Sequence, residues 1–220
     1  MITVENLTKS YGGFFALSDV SFDVEKGDYI AVTGRSGSGK STLFHIIGGL
    51  DRPTDGAVIF EGRNSINFSE KEMARYRNLE IGFVFQSFHL EPSYTVYKNL
   101  EIPLLIAGID KNTRDERIRL NADKLGIADK LNNLANNLSG GEKQRVAIAR
   151  ALMNNPKVIL ADEPCGNLDS LNAEKIMDIF TALNNEGITV LLITHHIKDA
   201  QRAKKIINLL DGEIVYEDRK

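Results

Sequence analysis

Two glycine-rich stretches restrict this chain more than anything else in it: Gly34-Arg35-Ser36-Gly37-Ser38-Gly39-Lys40-Ser41 and Leu138-Ser139-Gly140-Gly141-Glu142. The first fits G-x-x-x-x-G-K-[ST], a loop whose backbone N–H groups cradle nucleotide phosphates. Such a loop needs a strand leading in and a helix leading out, because the helix N-terminus supplies part of the positive potential. Both neighbours are predicted. Tyr29–Thr33 is a short apolar run ending at the loop, and residues 43–47 read as the first turns of a buried helix.

The surrounding pattern is that of an α/β core interrupted by a helical insert. Alternation predicts strands over 2–7 and 20–24, and apolar runs predict others over 58–60, 82–86, 158–161, Thr189–Ile193 and 206–210. Residues 51–56 read as a turn. Asp211-Gly212 folds the last run onto 213–216 as a hairpin. Between 88 and 155 the texture is helical, with helices over 113–125, stopped by Gly126, and over 142–153, ended before Pro156. A further helix is predicted over 174–184.

Composition narrows the function classes. At 220 residues the chain is the size of one domain. A net charge of −3 and the lack of a dense basic run argue against a nucleic-acid partner. Cys165 is the single cysteine, which excludes a disulfide framework and suits a reducing, cytosolic compartment. No apolar stretch approaches the ~18–20 residues that span a bilayer, and the N-terminus lacks a signal-peptide pattern. Any membrane connection is therefore expected to run through a partner.

The motifs carry specific chemistry. Gly34, Gly37 and Gly39 let successive N–H groups turn inward. With Arg35, Ser36 and Ser38 between them and Thr42 opening the helix, residues 34–42 form the phosphate site. Lys40 brings a positive charge to the β/γ-phosphates and Ser41 a hydroxyl for Mg²⁺. The strand over 158–161 delivers two carboxylates at its end. Asp162 is placed to hold Mg²⁺, and Glu163 to polarise a water attacking the γ-phosphate. Ser139 to Glu142 reads two ways, since S-x-x-E is a capping box and two glycines at a helix start also expose N–H donors to an anion.

The run from Leu138 to Arg145, with the phosphate loop before it and Ala161-Asp162-Glu163-Pro164 after it, resembles the ATP-binding cassette (ABC) family along essentially the whole chain. The resemblance implies an α/β phosphate-loop NTPase core with an antiparallel β subdomain and an inserted α-helical subdomain. It implies one nucleotide-binding domain over 1–220, with 1–87 and 156–220 as core and β subdomain and 88–155 as the helical subdomain. Its cofactors would be ATP and Mg²⁺. Tyr11 matches the adenine-stacking aromatic, Gln86 the Q-loop residue that ligates Mg²⁺ or water, and Asp169 the end of the D-loop. Glu163 matches the general base. His195 is followed by His196, and the residues alone leave open which one acts; the family pattern selects His195 as the γ-phosphate contact.

In such proteins two cassettes pack head to tail, so Ser139, Gly140, Gly141 and Glu142 would serve a partner's nucleotide. With both composite sites complete in one sequence, the expected partner is a second copy of this chain. Residues 161–169 are close to A-D-E-P-T-G-N-L-D, with Cys165 in the threonine position, read as packing. That form resembles the subclass serving macrolide exporters, lipoprotein release, antimicrobial-peptide transport and cell division. A membrane permease would dock near 86–105, where the apolar stretch around Pro103 fits a partner-facing or a core segment equally well. The resemblance thus implies a cytoplasmic protein, peripheral on the inner face of the cell membrane. Two other classes compete. ABC ATPases of DNA repair or ribosomes carry long coiled-coil insertions or paired cassettes, and this chain has neither. A kinase or GTPase would leave 138–145 unexplained.

Overall fold

In the computed structural model, which describes residues 1–219, the N-terminal alternation becomes a long hairpin. Strands β1 (Ile2–Tyr11) and β2 (Phe14–Val24) pair antiparallel around Gly12-Gly13, both left-handed. With β4 (Asp55–Phe60) and β5 (Arg63–Asn64) they form a sheet of order β2-β1-β4-β5. The first two strands run further than alternation predicts. Register shifts after Val4, Leu7 and Lys9 break the inside–outside period without ending the pairing.

The second sheet contains β3 (Tyr29–Thr33), β6 (Ile81–Phe85), β7 (Val158–Asp162), β8 (Thr189–Ile193), β9 (Lys205–Leu210) and β10 (Glu213–Arg219) in the order β10-β9-β3-β8-β7-β6. All neighbours are parallel except the terminal hairpin β9–β10. Its central strands are apolar throughout because both faces are covered. Period-two alternation divides them between two cores. Ile30, Val32, Leu160 and Leu191 join α1 (Lys40–Ile47), α2 (Glu70–Leu79) and the first sheet on one side. Tyr29, Ala31, Ile159 and Leu192 join the helices α3 (Val96–Ile106), α4 (Lys111–Lys124), α5 (Gly140–Leu152) and α6 (Ser170–Asn185) on the other. A short α7 (Ile197–Ala200) follows β8.

Three helices have no clear period in the sequence, the four-residue α7 and the longer α2 and α3. Helix α2 is almost wholly polar, and its one local signal is the capping box of Ser69 with Glu72. Helix α3 continues through Pro103. The Pro103 carbonyl accepts the side-chain amides of Asn78 at 3.2 Å and Asn154 at 3.1 Å.

Candidate active site

The phosphate loop owes its shape to close contacts that exclude side chains. A Cβ on Gly34 would fall 2.1 Å from the Leu209 carbonyl oxygen, and one on Gly39 2.2 Å from that of Ala16. Both glycines have positive φ, 145° and 99°, which L-residues disfavour. Gly39 caps α1 without a side-chain bond, and the first turn carries no acidic residue, so its N–H groups remain open to an anion. Lys40 is buried and folds back on the loop, donating to the carbonyls of Gly34 (2.9 Å) and Arg35 (2.7 Å). Burial lowers its pKa, and the charges of Glu163 and Asp162 oppose that shift.

A cleft of about 560 Å³ opens over this loop, lined by Ser36, Gly37, Gly39, Lys40, Ser41 and Thr42. Tyr11 stands on its wall, with Gln86 and the Asp162–Glu163 pair. The Asp162 carboxylate has its pKa raised by burial, partly offset by a hydrogen bond from Ser41. Glu163 leaves the sheet with φ of +45°, and its N–H donates to the Ile193 carbonyl at 3.1 Å. A non-glycine residue in this region is strained, and such strain concentrates at functional sites. His195 Nδ1 lies 3.2 Å from Glu163 Oε1. His195 itself lines an adjoining groove with Gly34 and Arg35.

The remaining predicted residues stand elsewhere. Ser139 and Glu142 form a capping box at the start of α5: Ser139 N–H donates to Glu142 Oε2 at 2.8 Å, and Glu142 N–H to Ser139 Oγ at 3.4 Å. Gly140 lies against Leu168 in the loop before α6, and a Cβ on Gly141 would meet the Asn172 side chain in the first turn of α6, with Oδ1 at 2.7 Å. Asp169 caps α6, accepting from the backbone and side chain of Asn172. None of these five lines the cleft of its own chain. His196 stacks at a tilt on His195, with ring centroids 4.1 Å apart. Cys165 is buried and its pKa is pushed up to about 12, so the thiol stays protonated and acts as packing.

The cleft also recruits Phe14, Ala16, Phe85, Ser87 and His89, none of them singled out from sequence. Phe14 pairs with Tyr11 across the Gly12-Gly13 turn and is exposed beside it, a placement that only the hairpin decides.

The family model described as ABC transporter matches residues 17–166. The uncharacterized ABC transporter ATP-binding protein YknY of Bacillus subtilis is 48% identical over 219 residues, covering 98% of this chain and 95% of that one. The macrolide export ATP-binding/permease protein MacB of Bdellovibrio bacteriovorus is 42% identical over 223 residues; the match spans 100% of this chain but 34% of MacB. Among solved structures, the dimeric cassette MJ0796 superimposes with a TM-score of 0.92 at 41% identity, covering 100% of this chain and 98% of that one. The same cassette is known as a dimer in a post-hydrolysis state with ADP and Pi. The chain belongs to the ABC transporter family, as an ATP-binding cassette that hydrolyses ATP.

Proposed function

We propose that this cassette drives a membrane exporter as a head-to-tail pair of identical chains, each nucleotide held between the phosphate loop of one copy and Ser139–Gly141 of the other. Its support is where the predicted residues lie: Tyr11, most of the phosphate loop, Gln86, Asp162 and Glu163 line the cleft, Gly34, Arg35 and His195 line the adjoining groove, and Ser139 to Glu142 and Asp169 lie outside both. The capping box at the start of α5 does not conflict with that role, because N–H groups of the first turn that donate to no capping side chain remain free for a partner's phosphate.

Within one cleft the roles follow from placement. Lys40 exchanges the carbonyls of Gly34 and Arg35 for phosphate oxygens, while the N–H groups from Gly37 to Thr42 cradle the same anion. Tyr11 offers its ring to adenine. Glu163 accepts the proton of the attacking water. His195, with Nδ1 turned to Glu163, keeps Nε2 for the γ-phosphate. Ser41, Asp162 and Gln86 bring hard oxygen donors to one wall, a set that fits Mg²⁺, and the half-buried Asp162 would gain a counter-charge. When bound, Mg²⁺ would neutralise charge on the phosphate oxygens.

The permease partner would sit on α3 and its surroundings. A groove of about 270 Å³ there is lined by Arg77, Phe83, Ile102, Pro103, Ile106 and Arg150, and Ile106 is 70% exposed. No helix among the described residues is long and apolar enough to cross a membrane, and MacB joins a cassette and a permease in one name. On this reading the chain sits on the cytoplasmic membrane face through a permease docked near 86–105, with 88–155 as the helical subdomain and 1–87 with 156–220 as the core with its β subdomain, residue 220 lying outside the described residues.

The deciding experiment is the solution mass of Glu163→Gln with and without ATP, by light scattering after size exclusion. Conversion of monomer to dimer by ATP, blocked by Ser139→Arg, is expected. ATP binding with no change of mass would remove the shared site from a homodimer.

A further inference from the structure

The loop after β6 contains two consecutive non-glycine residues in the left-handed region, Phe88 with φ of 59° and His89 with φ of 49°. Side chains with a Cβ disfavour that region, and two in succession need outside support. Local bonds hold part of it: Phe88 N–H reaches the Phe85 carbonyl at 3.3 Å, His89 N–H reaches the Ser87 carbonyl at 2.6 Å, and the His89 ring meets Phe85 edge-on at 4.9 Å, while Asn167 Nδ2 donates to the Gln86 carbonyl at 3.1 Å; none of these holds the carbonyls of Phe88 and His89. The stronger support comes from far along the chain. Arg150, in the last turn of α5, donates through one terminal nitrogen to the Phe88 carbonyl at 3.0 Å and through the other to the His89 carbonyl.

The guanidinium has no evident second purpose. Among the described residues no carboxylate forms an ion pair with it, and burial alone lowers its pKa. A planar fork with parallel donors suits two adjacent carbonyls in a way that a single ammonium does not. The two carbonyls it holds belong to the loop whose Gln86, Ser87 and His89 line the cleft. Its other side lines the outer groove with Phe83, Pro103 and Asn154. Along α5, Arg150 is nine residues from Gly141, or ~14 Å at the helical rise.

We propose that Arg150 is a positioning residue: by clamping the carbonyls of Phe88 and His89 it holds the 86–89 loop in a strained form that presents Gln86 to the nucleotide cleft, and ties that loop to the helix bearing Ser139-Gly140-Gly141. Loss of the clamp lets Phe88 and His89 relax toward right-handed backbone and withdraws Gln86, while the phosphate loop is untouched. This rests on the ATPase reading of the cleft for its effect on turnover, but not for its effect on the loop.

Three variants of the full chain test it: Arg150→Met, Arg150→Lys, and Arg150→Met with His89→Gly. Amide hydrogen exchange over 86–90 and 34–42, ATP affinity and kcat are measured on each. Arg150→Met is expected to speed exchange over 86–90 at least tenfold with 34–42 unchanged. ATP affinity should stay within about twofold and kcat should fall on the order of ten- to a hundredfold, the scale of a misplaced catalytic group. Arg150→Lys should fall between, and it carries the comparison if the methionine variant does not fold. His89→Gly accepts the left-handed region without strain, so the double variant should regain part of the lost kcat, which a packing role for Arg150 would not allow. Unchanged exchange over 86–90 overturns the proposal, as does a parallel loss of thermal stability and kcat that neither Lys nor Gly recovers. A wild-type chain without ATPase activity would instead overturn the reading of the cleft, and the exchange comparison would still decide the clamp.

Discussion

His195 Nδ1 and Glu163 Oε1 stand 3.2 Å apart because their strands are neighbours in register. Strands β7 and β8 pair in parallel with Asp162 opposite Ile193, so the residues just beyond both strand ends meet at the carboxyl edge of the sheet. That edge is where open α/β sheets place their ligands.

Replacing His195 by alanine should therefore lower kcat on the order of a hundredfold, since the group it would orient no longer holds its geometry. ATP affinity should change little, because Lys40 and the loop N–H groups are intact. His196→Ala should leave kcat within a few-fold. The comparison is steady-state hydrolysis beside nucleotide binding on each variant. Equal losses from both histidines would remove the assignment to His195.

The start of α5 separates capping from a shared site. Ser139→Ala removes a cap and should cost about 0.5–2 kcal/mol of stability. Gly141→Ala brings a Cβ within 2.7 Å of Asn172 Oδ1, so the Asn172 side chain, which donates to Asp169, has to move. We expect Gly141→Ala in the Glu163→Gln background to abolish ATP-driven dimerisation while each monomer still binds ATP. Titration with a fluorescent ATP analogue beside light scattering would show the split, and loss of binding in the monomer would contradict it.

Tyr11 is fixed before any base arrives. Its hydroxyl donates to Asp51 Oδ2 at 2.6 Å, while Lys9 Nζ donates to Asp51 Oδ1 at 2.8 Å and lies 4.8 Å from the ring centroid. Tyr11→Ala should weaken ATP binding by about ten- to a hundredfold, the range of base–aromatic stacking. Tyr11→Phe should lose less, keeping the ring but not its anchor. Calorimetry with ATP and with tripolyphosphate checks the attribution, because tripolyphosphate affinity should be the same in all three proteins.

Acid should loosen the α5 cap. The Ser139 N–H, then its hydroxyl, hold the Glu142 pKa below the ordinary carboxylate range. A lowered native pKa means that the stabilisation is complete above that ordinary range and is lost as pH falls through the lowered value. Glu142→Gln should therefore melt below the wild type at neutral pH, and the two melting curves should converge on acidification from about pH 7 toward pH 3. Parallel curves over that interval would assign the difference to packing.

Much of this was written in the chain. The phosphate loop, the apolar strand ending in Asp162 and Glu163, and the Ser139–Glu142 helix start are short motifs whose residues act on their immediate neighbours, so spacing alone identifies them. Helices α2 and α3 were harder to read. The first buries little more than Met73 and Tyr76, which leaves almost no period to detect. The second contains Pro103, a residue that ordinarily marks a helix end.

The sequence by itself determined which residues are candidates for the chemistry: a glycine-rich loop opening a helix, two carboxylates at the end of an apolar strand, and a second glycine-rich helix start. Each depends on a side chain and the few backbone groups beside it. Tertiary structure alone decided who meets whom. Register between β7 and β8 sets His195 beside Glu163, and the hairpin across Gly12-Gly13 brings Phe14 to the cleft with Tyr11. Packing of α5 on the second sheet lets Arg150 reach Phe88 and His89, some sixty residues earlier in the chain. Those contacts join strands and helices far apart in sequence, and their partners are fixed by how the layers bury their apolar faces rather than by any local pattern.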